Sequence, residues 1–302
     1  MILIRSKVTI GICVKNNAQT ISETIKSIIK QDFPRELIEL IIVDGYSEDA
    51  TLFIIKRQLK NSEIRFKIFH EKEGLGKARQ IVVDNAEGEY IIWVDGDMIL
   101  SRDFVKKHVE FMDSNPKVGV AKGKYGVLKG DEHKNLVAFL EDLEFMLNTQ
   151  NEGEVNDKVL ATSGCIYRVK AIRQAGGFDS LFKGVGEDMD IESRIRALGW
   201  KLCIASAVFQ ELRRKSWKAL WNEYMWHGKG GFQLYHKNKK ILGSLEIFPP
   251  VLLIKKVKQS VQAYKKFHQK RVFLFTLHYF FKRVAWFFGF LSQCAKIGQH
   301  KL

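Results

Sequence analysis

The front of the chain alternates short β-rich runs with segments of helical periodicity, and this alternation limits the fold more than any other feature. The β-rich runs lie at residues 8–14, 40–43, 65–69 and 90–94. Between the first two runs, Ile21, Ile25 and Ile28 recur at the spacing of a helix. A strand–helix series of this kind predicts an α/β fold with a mostly parallel sheet and helices on both faces.

The predicted sheet also indicates where functional residues lie, because ligands of open α/β sheets bind beyond the carboxyl ends of the strands. We therefore expect functional side chains at residues 15–16, 44–45, 71–76 and 95–97. Hydrophobic residues make up 46% of the 302 positions, which excludes a disordered chain. The four cysteines are far apart, with neither a CxxC pair nor a histidine cluster, so they predict neither a disulfide framework nor a zinc site.

The sharpest pattern is IIWVDGDMIL at residues 91–100, an apolar strand that ends in two aspartates separated by one residue. Asp95 and Asp97 can point to the same side, where their carboxylates can bind one hard divalent cation, or a cation and a ribose. The alternative is an acidic turn that closes the strand, because Asp and Gly are ordinary turn residues.

An aspartate also ends the second predicted strand, in LIIVDGYSED at residues 40–49. Asp44 is placed to accept hydrogen bonds from the edge of a nucleobase. The alternative is a turn followed by a helix that Ser47 caps.

Two further segments combine glycine with charge. GLGKARQ at residues 74–80 can hold a phosphate through backbone amides, Lys77 and Arg79, or it is a simple turn that opens a helix. GVGEDMDIESRIR at residues 184–196 begins a helix with three carboxylates, one of which can act as a general base. The alternative is that these carboxylates only complement the helix dipole.

Charge is distributed unevenly along the chain. Residues 201–302 hold 20 Lys and Arg against 3 Asp and Glu, a net charge of +17, whereas the first 200 residues carry −2. Such a surface suits nucleic acid, anionic lipid or a phosphorylated substrate. No nucleic-acid-binding motif accompanies the charge, so nucleic acid is the disfavoured partner.

The aromatic segment VFLFTLHYFFKRVAWFFGFL at residues 272–291 raises the question of a membrane span. Lys282 and Arg283 lie at its middle, and one charge at the bilayer centre costs about 2.5–3.5 kcal/mol, so a single span is disfavoured. With the lysines of residues 249–271, the segment predicts a pair of helices at an anionic membrane surface. The alternative is a soluble helical hairpin.

We predict two domains, residues 1–228 and a basic, aromatic helical extension at residues 229–302.

Taken in order, these segments resemble the inverting family-two glycosyltransferases, which bind nucleotide sugars on a GT-A (Rossmann-like) fold. The resemblance runs from about residue 8 to about residue 230, and YMWHGKG follows the other motifs in the family's order. It implies a hexosyltransferase that uses a UDP- or GDP-linked donor and a divalent cation, Mn²⁺ or Mg²⁺. It implies the following roles: nucleotide binding by Asn16, Asp44, Lys77, Arg79 and Asp95, metal binding by Asp97, catalytic base by Asp188, and acceptor binding or support by Glu187 and Glu211.

The sequence departs from the family's pattern at two places. The first strand ends in Cys13, Val14, Lys15 and Asn16, where many relatives have Pro-Thr-Tyr-Asn, so only the Asn position carries over. Relatives often have a His after the strand near residue 209, where this chain has Gln210 and Glu211. If that His is a metal ligand in the relatives, either Glu211 replaces it or this chain holds the metal with fewer ligands.

Processive synthases of the family carry Gln-x-x-Arg-Trp, and this chain lacks the Trp, so we expect transfer of a single sugar. The basic extension predicts a glycan or lipid-linked acceptor presented at an anionic membrane. Because the chain starts without a signal-peptide pattern, we expect the protein in the cytoplasm, attached peripherally to the inner face of the cell membrane. The alternative functions are binding of nucleic acid or anionic lipid through the basic third, and nucleotidyl transfer on the same fold.

Overall fold

The structure is a computed structural model, and it describes residues 6–126, 134–149, 151–156, 159–237 and 250–299. The chain forms two compact units. The first comprises Met1–Gly126, Thr149–Lys183 and Glu187–Leu212, and the second comprises Val127–Asn148, Gly184–Gly186 and Arg213–Leu302. The predicted division into residues 1–228 and 229–302 stays a prediction, and position 228 lies inside a helix of the second unit.

The first unit contains the strands and helices that the sequence pattern predicts, together with short elements at residues 98–100, 153–154 and 169–174 that the pattern does not predict. Its strands are β1 (Val8–Val14), β2 (Ile38–Asp44), β3 (Arg65–His70), β4 (Tyr90–Trp93), β5 (Met98–Leu100), β6 (Val118–Tyr125), β7 (Gly153–Glu154), β8 (Cys165–Arg168) and β9 (Lys201–Glu211). Its α-helices are α1 (Ile21–Ile29), α2 (Thr51–Leu59), α3 (Leu75–Asn85), α4 (Phe104–Ser114), α6 (Val169–Gln174) and α7 (Glu187–Ala197). A short 3-10 helix, Arg35–Leu37, precedes β2.

The strands form one sheet in the order β3-β2-β1-β4-β8-β6-β9-β5, with β7 paired to β9. The α/β fold class is confirmed, with one difference in detail. The block β3-β2-β1-β4 is parallel, as expected, but β8 and β5 pair antiparallel with their neighbours, so the sheet beyond β4 is mixed. In the part beyond β4, only β6 and β9 pair in parallel.

Burial explains the position of the strands. Every residue of β2 is buried, which suits a central strand, whereas β3 is mostly exposed and carries Arg65 and Lys67 at the edge of the sheet. Charged residues on an edge strand hinder pairing with another chain. The core of this unit is built around Trp93, which packs edge-on against Tyr167 and Phe178.

One predicted loop contains regular structure. Residues 149–158 are hydrophilic and predict a mobile loop, but Gly153 and Glu154 form β7, which pairs antiparallel with β9. The salt bridge between Lys201 and Glu154 joins the two strands at 2.5 Å. Positions 150, 157 and 158 lie outside the described residues.

The second unit is helical over its described residues. Its helices are α5 (Leu136–Asn148), α8 (Trp217–Lys237), α9 (Pro250–Phe267), a 3-10 turn (Lys270–Leu274) and α10 (Phe275–Gln299). Glycines let α8 and α10 approach closely, because a Cβ on Gly228 would lie 1.9 Å from the Trp286 carbonyl oxygen. A Cβ on Gly289 would lie 2.1 Å from that of Met225. The glycines near residue 228 therefore serve helix packing.

A buried cluster of charged residues joins α5, α9 and α10. The Lys282 ammonium donates to both Glu141 and Glu144, and Lys256 donates to Glu144 at 3.0 Å. His278 Nε2 lies 3.3 Å from Glu141 Oε1. These two carboxylates and the His ring are spaced closely enough to hold a metal ion. Because two ammonium groups already neutralise the carboxylates, we interpret the cluster as an ion-pair network.

This cluster changes the interpretation of the basic extension. Lys256 and Lys282 are buried counter-ions of α5, so neither can face anionic lipid. Their pairing lowers the pKa of Glu144 to about 2, against the opposing effect of burial. Over the described part of the chain, no helix combines the length and apolar character that crossing a bilayer requires.

Candidate active site

Asp44 lies at the carboxyl end of β2, where the sequence predicts a nucleotide contact. Its side chain is buried, and its Oδ2 accepts a 3.0 Å hydrogen bond from the Ser47 amide. Its Oδ1 is buried without a hydrogen-bond partner. A buried carboxylate oxygen with no donor is unusual, because leaving such a group unsatisfied costs about 1–3 kcal/mol. Asp44 is therefore available to an N–H donor of a ligand.

Asn16 holds the rim of the same site. Its backbone adopts φ +53°, a left-handed conformation that Asn tolerates better than most residues. Its backbone N–H donates to Ser47 Oγ at 2.9 Å. Its side-chain oxygen accepts a hydrogen bond from the Glu48 backbone N–H, also at 2.9 Å. These bonds join the loop after β1 to the loop after β2. Asn16 is thus placed beside Asp44, with its side-chain oxygen engaged in fixing the loop.

Two aromatic residues near Asp44 were not singled out from the sequence. His70 Nδ1 lies 3.4 Å from Asp44 Oδ2, because the parallel register of β2 and β3 pairs residue 44 with residue 70. The ring of Tyr46 lies 5.5 Å from that of His70 and is 55% exposed. The signal for His70 was its position as the last residue of a strand in the parallel block.

Arg79 lies between two carboxylates of the site, those of Asp95 and Glu187. It is buried on α3, donates from Nε to Glu187 Oε1 at 2.9 Å, and has Nη2 3.9 Å from Asp95 Oδ1. Its guanidinium also lies over the ring of Trp93. Arg79 thus brings together the carboxyl end of β4 and the N-terminus of α7.

The two carboxyl groups beside Arg79 have perturbed acidity. Loss of hydration raises the pKa of Glu187 to about 8, with Asp188 adding to the rise and Arg79 opposing it. The pKa of Asp95 is also raised, first by loss of hydration and then by Glu211 and Asp188, while Arg79 opposes the rise. A buried carboxyl group, Glu187, and a partly exposed one, Asp95, therefore flank Arg79, and perturbed acidity of this kind is common in catalytic centres.

Asp188 is the second residue of α7, directly after Glu187, and three carboxylates lie in the first turn of this helix. Its Oδ1 accepts a 2.8 Å hydrogen bond from the Met189 amide. One turn further on, Glu192 is fully buried and accepts 2.6 Å bonds from the Tyr167 hydroxyl and the Leu160 amide. Glu192 was not predicted as a site residue, because the sequence does not show which strand faces that side of α7.

Asp97 and Glu211 lie at adjacent strand ends. The β5–β9 register pairs Met98 with Glu211, and the Leu212 amide donates to the Asp97 carbonyl at 2.8 Å. Both Gln210 and Glu211 belong to β9, which ends at Glu211 and not near residue 209 as expected. The Tyr125 hydroxyl donates to Glu211 Oε1 at 3.2 Å.

The segment GLGKARQ does not offer the phosphate cradle that its glycines suggested. The Leu75 and Gly76 amides at the start of α3 donate to the carbonyls of Lys183 and Phe182, so they are not free to bind a phosphate. A Cβ on Gly76 would lie 2.2 Å from the Asp179 carbonyl oxygen, which accounts for that glycine by packing. Lys77 pairs with Glu73 and lies 3.5 Å from Glu71.

Comparison with known proteins identifies the family. The profile of "Glycosyl transferase family 2" matches residues 9–176, more than half of the chain. The chain belongs to glycosyl transferase family 2. It is a glycosyltransferase with a GT-A fold, as the order of its motifs predicted. The match ends before α7, so the role of Asp188 stays a prediction.

Solved glycosyltransferases share the fold at low sequence identity. A mannosyltransferase from Pyrobaculum calidifontis, solved with GDP-Man and Mn²⁺, superposes with a TM-score of 0.60 at 19% identity, covering 90% of this chain and 73% of that one. Residues 1–349 of TarS from S. aureus, solved with UDP, give a TM-score of 0.56 at 18% identity, covering 97% and 92%. These likenesses concern the fold alone.

Two curated relatives match parts of the enzyme. The poly(ribitol-phosphate) β-N-acetylglucosaminyltransferase TarS of Staphylococcus aureus is 31% identical over 101 residues, 33% of this chain and 18% of the relative. The poly-β-1,6-N-acetyl-D-glucosamine synthase of Staphylococcus epidermidis is 24% identical over 237 residues, 72% of this chain and 53% of the relative. The chain thus spans about a fifth of the first relative and half of the second.

Proposed function

We propose that this glycosyltransferase inverts the anomeric centre and moves one hexose from a UDP- or GDP-linked donor to an acceptor hydroxyl or phosphate. The observation that carries the proposal is the acidic site around Arg79. The Arg79 guanidinium pairs both with Asp95, on the nucleotide side, and with Glu187, on the α7 side. Asp188 adjoins Glu187, and its negative charge contributes to the raised pKa of both Glu187 and Asp95. A donor bound at Asp95 would therefore have a candidate base close by.

The nucleotide would bind along the carboxyl ends of β1, β2 and β4. The unpartnered Oδ1 of Asp44 would accept an N–H of the base, and the exposed ring of Tyr46 would offer it an apolar face. Asn16 shapes this rim, while Arg79 lies near the diphosphate side. Lys77 is proposed only as a long-range positive charge, since it pairs with Glu73. The mannosyltransferase with GDP-Man and TarS with UDP support a nucleotide donor of this kind.

The residues of the site suit a divalent cation. Asp97, Asp95 and Glu211 supply only carboxylate oxygens. Burial is the largest cause of the raised pKa of Asp95, and repulsion from Glu211, which a bound cation would relieve, adds to it. Asp97 and Glu211 would hold the ion, with Asp95 shared between it and the ribose. Mn²⁺ or Mg²⁺ would neutralise negative charge on the diphosphate. The Mn²⁺ of the mannosyltransferase complex supports this choice.

The residues of α7 would perform the proton transfer. As the acceptor oxygen forms its bond to the anomeric carbon, the bond to the diphosphate breaks and its electron pair leaves with the nucleoside diphosphate. The acceptor proton passes to the Asp188 carboxylate. Arg79 holds Glu187 in place beside it, and Glu192 anchors the helix. Attack opposite to the leaving group inverts the configuration.

The acceptor is proposed to be a glycan or a lipid-linked phosphate at the inner face of the cell membrane. The charge of +17 on residues 201–302 supports an anionic surface there. Single transfer, rather than processive synthesis, rests on Arg214, which stands directly after Arg213 where Gln-x-x-Arg-Trp has its Trp.

The test compares two carboxylates in the same turn of α7. Asp188→Asn should lower the transfer rate by about 10²–10⁴-fold, the usual contribution of a general base, with nucleotide affinity nearly unchanged. Asp190→Asn is the matched control, because Asp190 pairs with Arg194 and should leave the rate within a few-fold. Transfer at a normal rate by Asp188→Asn would refute the assignment.

Calorimetric titration with UDP and GDP, in Mn²⁺, Mg²⁺ or EDTA, measures the nucleotide part separately. We expect metal-dependent binding of one nucleotide and its loss in Asp97→Ala. If neither nucleotide binds, the proposed donor class is wrong.

A further inference from the structure

The outer face of α10 is apolar, although a helix on the surface of a soluble protein is normally polar there. Its exposed side chains are Leu277, Phe280, Phe287, Phe288 and Leu291, here called the α10 stripe, and each is between 36% and 65% exposed. These positions recur at intervals of one, three, four or seven residues, so they share one face of the helix. From residue 277 to residue 291 the stripe is about 21 Å long.

The inner face of the same helix carries its polar groups. His278 and Lys282 are 0% and 2% exposed, and Lys282 pairs with Glu141 and Glu144 of α5. The helix therefore buries two ionisable groups beside Phe275, Trp286 and Phe290, and it also exposes apolar side chains on its outer face. Such an arrangement is expected where the outer surface meets an apolar phase.

The charge of the same part of the chain indicates which apolar phase this is. Residues 250–299 contain ten Lys and Arg and no Asp or Glu. Lys256 and Lys282 are buried, but Lys258, Lys265 and Lys270 are exposed on α9 and on the 3-10 turn. Nucleic acid would match the lysines but not the apolar stripe, whereas the headgroup region of an anionic bilayer matches both.

We propose that the α10 stripe is a membrane-docking face that lies in the headgroup region of an anionic bilayer, with Lys258, Lys265 and Lys270 near the lipid phosphates. Such docking would bring the enzyme to a membrane-linked acceptor, and in this respect the proposal rests on the proposed function. The docking itself depends only on the second unit. It also commits the helix to lying on the bilayer, in keeping with its buried Lys282.

Flotation of the full chain with vesicles tests the proposal. The vesicles contain phosphatidylcholine alone or with phosphatidylglycerol, and the variants are Leu277→Gln/Phe280→Gln/Leu291→Gln and Lys258→Gln/Lys265→Gln/Lys270→Gln. We expect binding to the anionic vesicles, at least tenfold weaker in the first variant. In the second we expect about a fivefold loss per lysine, the factor for about 1 kcal/mol. Gln is used because it keeps helix propensity.

Matched controls lie in the first unit. Phe53→Gln removes a side chain of 65% exposure from α2, and Lys30→Gln/Lys60→Gln/Lys106→Gln removes three exposed lysines. Both should bind vesicles like the wild type. Thermal unfolding and nucleotide titration of every variant show that the fold and the donor site are intact.

Several results would overturn the docking face. One is undiminished flotation of the stripe variant, which would show that electrostatic attraction alone accounts for vesicle binding. Another is the absence of vesicle binding together with a dimer that the stripe variant abolishes, which would assign the face to a second copy. Vesicle binding without nucleotide binding would sustain the docking face and refute the proposed function. The converse would refute the docking face alone.

Discussion

Single residues of α7 differ in role because their partners differ. Glu187 shares Arg79 with Asp95, Asp190 pairs with Arg194, and Glu192 accepts bonds from Tyr167 and Leu160. Asp188 is the most exposed of these four residues, at 8%, and its carboxylate accepts a hydrogen bond from the Met189 backbone N–H. The same helix turn therefore supplies structural carboxylates and one candidate base, and the burial of Glu192 gives a measurable consequence.

Glu192 should make the stability of the enzyme depend on pH. Burial raises its pKa from 4.5 to about 7, while the bond from Tyr167 opposes the rise. Between these values the folded state holds a proton that the unfolded state releases, so the free energy of unfolding falls as pH rises from 4.5 to about 7. The Glu192 contribution to this fall is at most about 3 kcal/mol, at 1.36 kcal/mol per pKa unit.

Urea unfolding across this pH range checks the prediction. Glu192→Gln should remove its share of the slope, because Gln does not titrate. Tyr167→Phe should extend the fall to higher pH, since it removes a hydrogen bond that favours the ionised form. Identical slopes in wild type and Glu192→Gln would contradict the assignment.

At the scale of elements, the helices of the second unit are joined by buried charge as well as by apolar contact. Helix α5 makes both kinds of contact. It packs against Val272 and Phe275 through Phe139, Leu140 and Leu143, and it supplies Glu141 and Glu144 as the partners of Lys282. Such a network fixes which faces of α5 and α10 meet, because a different rotation would leave Glu141 and Glu144 buried without cations.

Removing one cation should therefore destabilise these helices strongly. Lys282→Met keeps an unbranched side chain of similar length but leaves the two carboxylates with one close ammonium, that of Lys256, among the described side chains. We expect a loss of about 3–5 kcal/mol. Urea unfolding followed by circular dichroism measures it. Lys258→Met, at an exposed position, is the control and should change stability by less than about 0.5 kcal/mol.

Neutralising the carboxylates should recover part of the loss. Lys282→Met combined with Glu141→Gln and Glu144→Gln leaves no unpaired buried anion there, so it should be more stable than Lys282→Met alone. A loss below about 1 kcal/mol for Lys282→Met would show that the carboxylates find water or protonate at little cost.

At the scale of the whole molecule, a charge of −2 on the first 200 residues accompanies +17 on the rest. Charge alone would give the protein a weak affinity for any polyanion. The α10 stripe adds an apolar contribution that salt does not screen. Salt dependence can therefore distinguish the two kinds of partner.

Retention on duplex DNA should disappear as salt rises, whereas retention on phosphatidylglycerol vesicles should fall to a plateau. The reason is that the Debye length shrinks to about 3 Å at 1 M salt while apolar burial persists. Parallel salt titrations on the two supports measure this difference. Equal loss on both would show that only electrostatics acts.

The sequence determined the parts of this protein that depend on neighbouring residues. Strand and helix periodicity predicted the α/β fold and the order of elements, and an acidic residue after an apolar strand located Asp44 and Asp95. These signals are local, since a carboxyl end of a strand is defined by the residues on either side of it. The motifs in their order were enough to indicate the family that the profile match confirmed.

The tertiary structure decided which groups meet across long separations. Arg79 reaches Glu187 over 108 positions, and Lys282 reaches Glu141 over 141. The sequence left open whether Lys77 and the amides of α3 hold a phosphate or form a simple turn, and in the structure Leu75 and Gly76 donate to carbonyls of residues 182–183. A cation on a helix looks the same in sequence whether it faces lipid or a buried carboxylate. Only packing decides, because burying the charge is tolerable only where another element supplies its counter-ion.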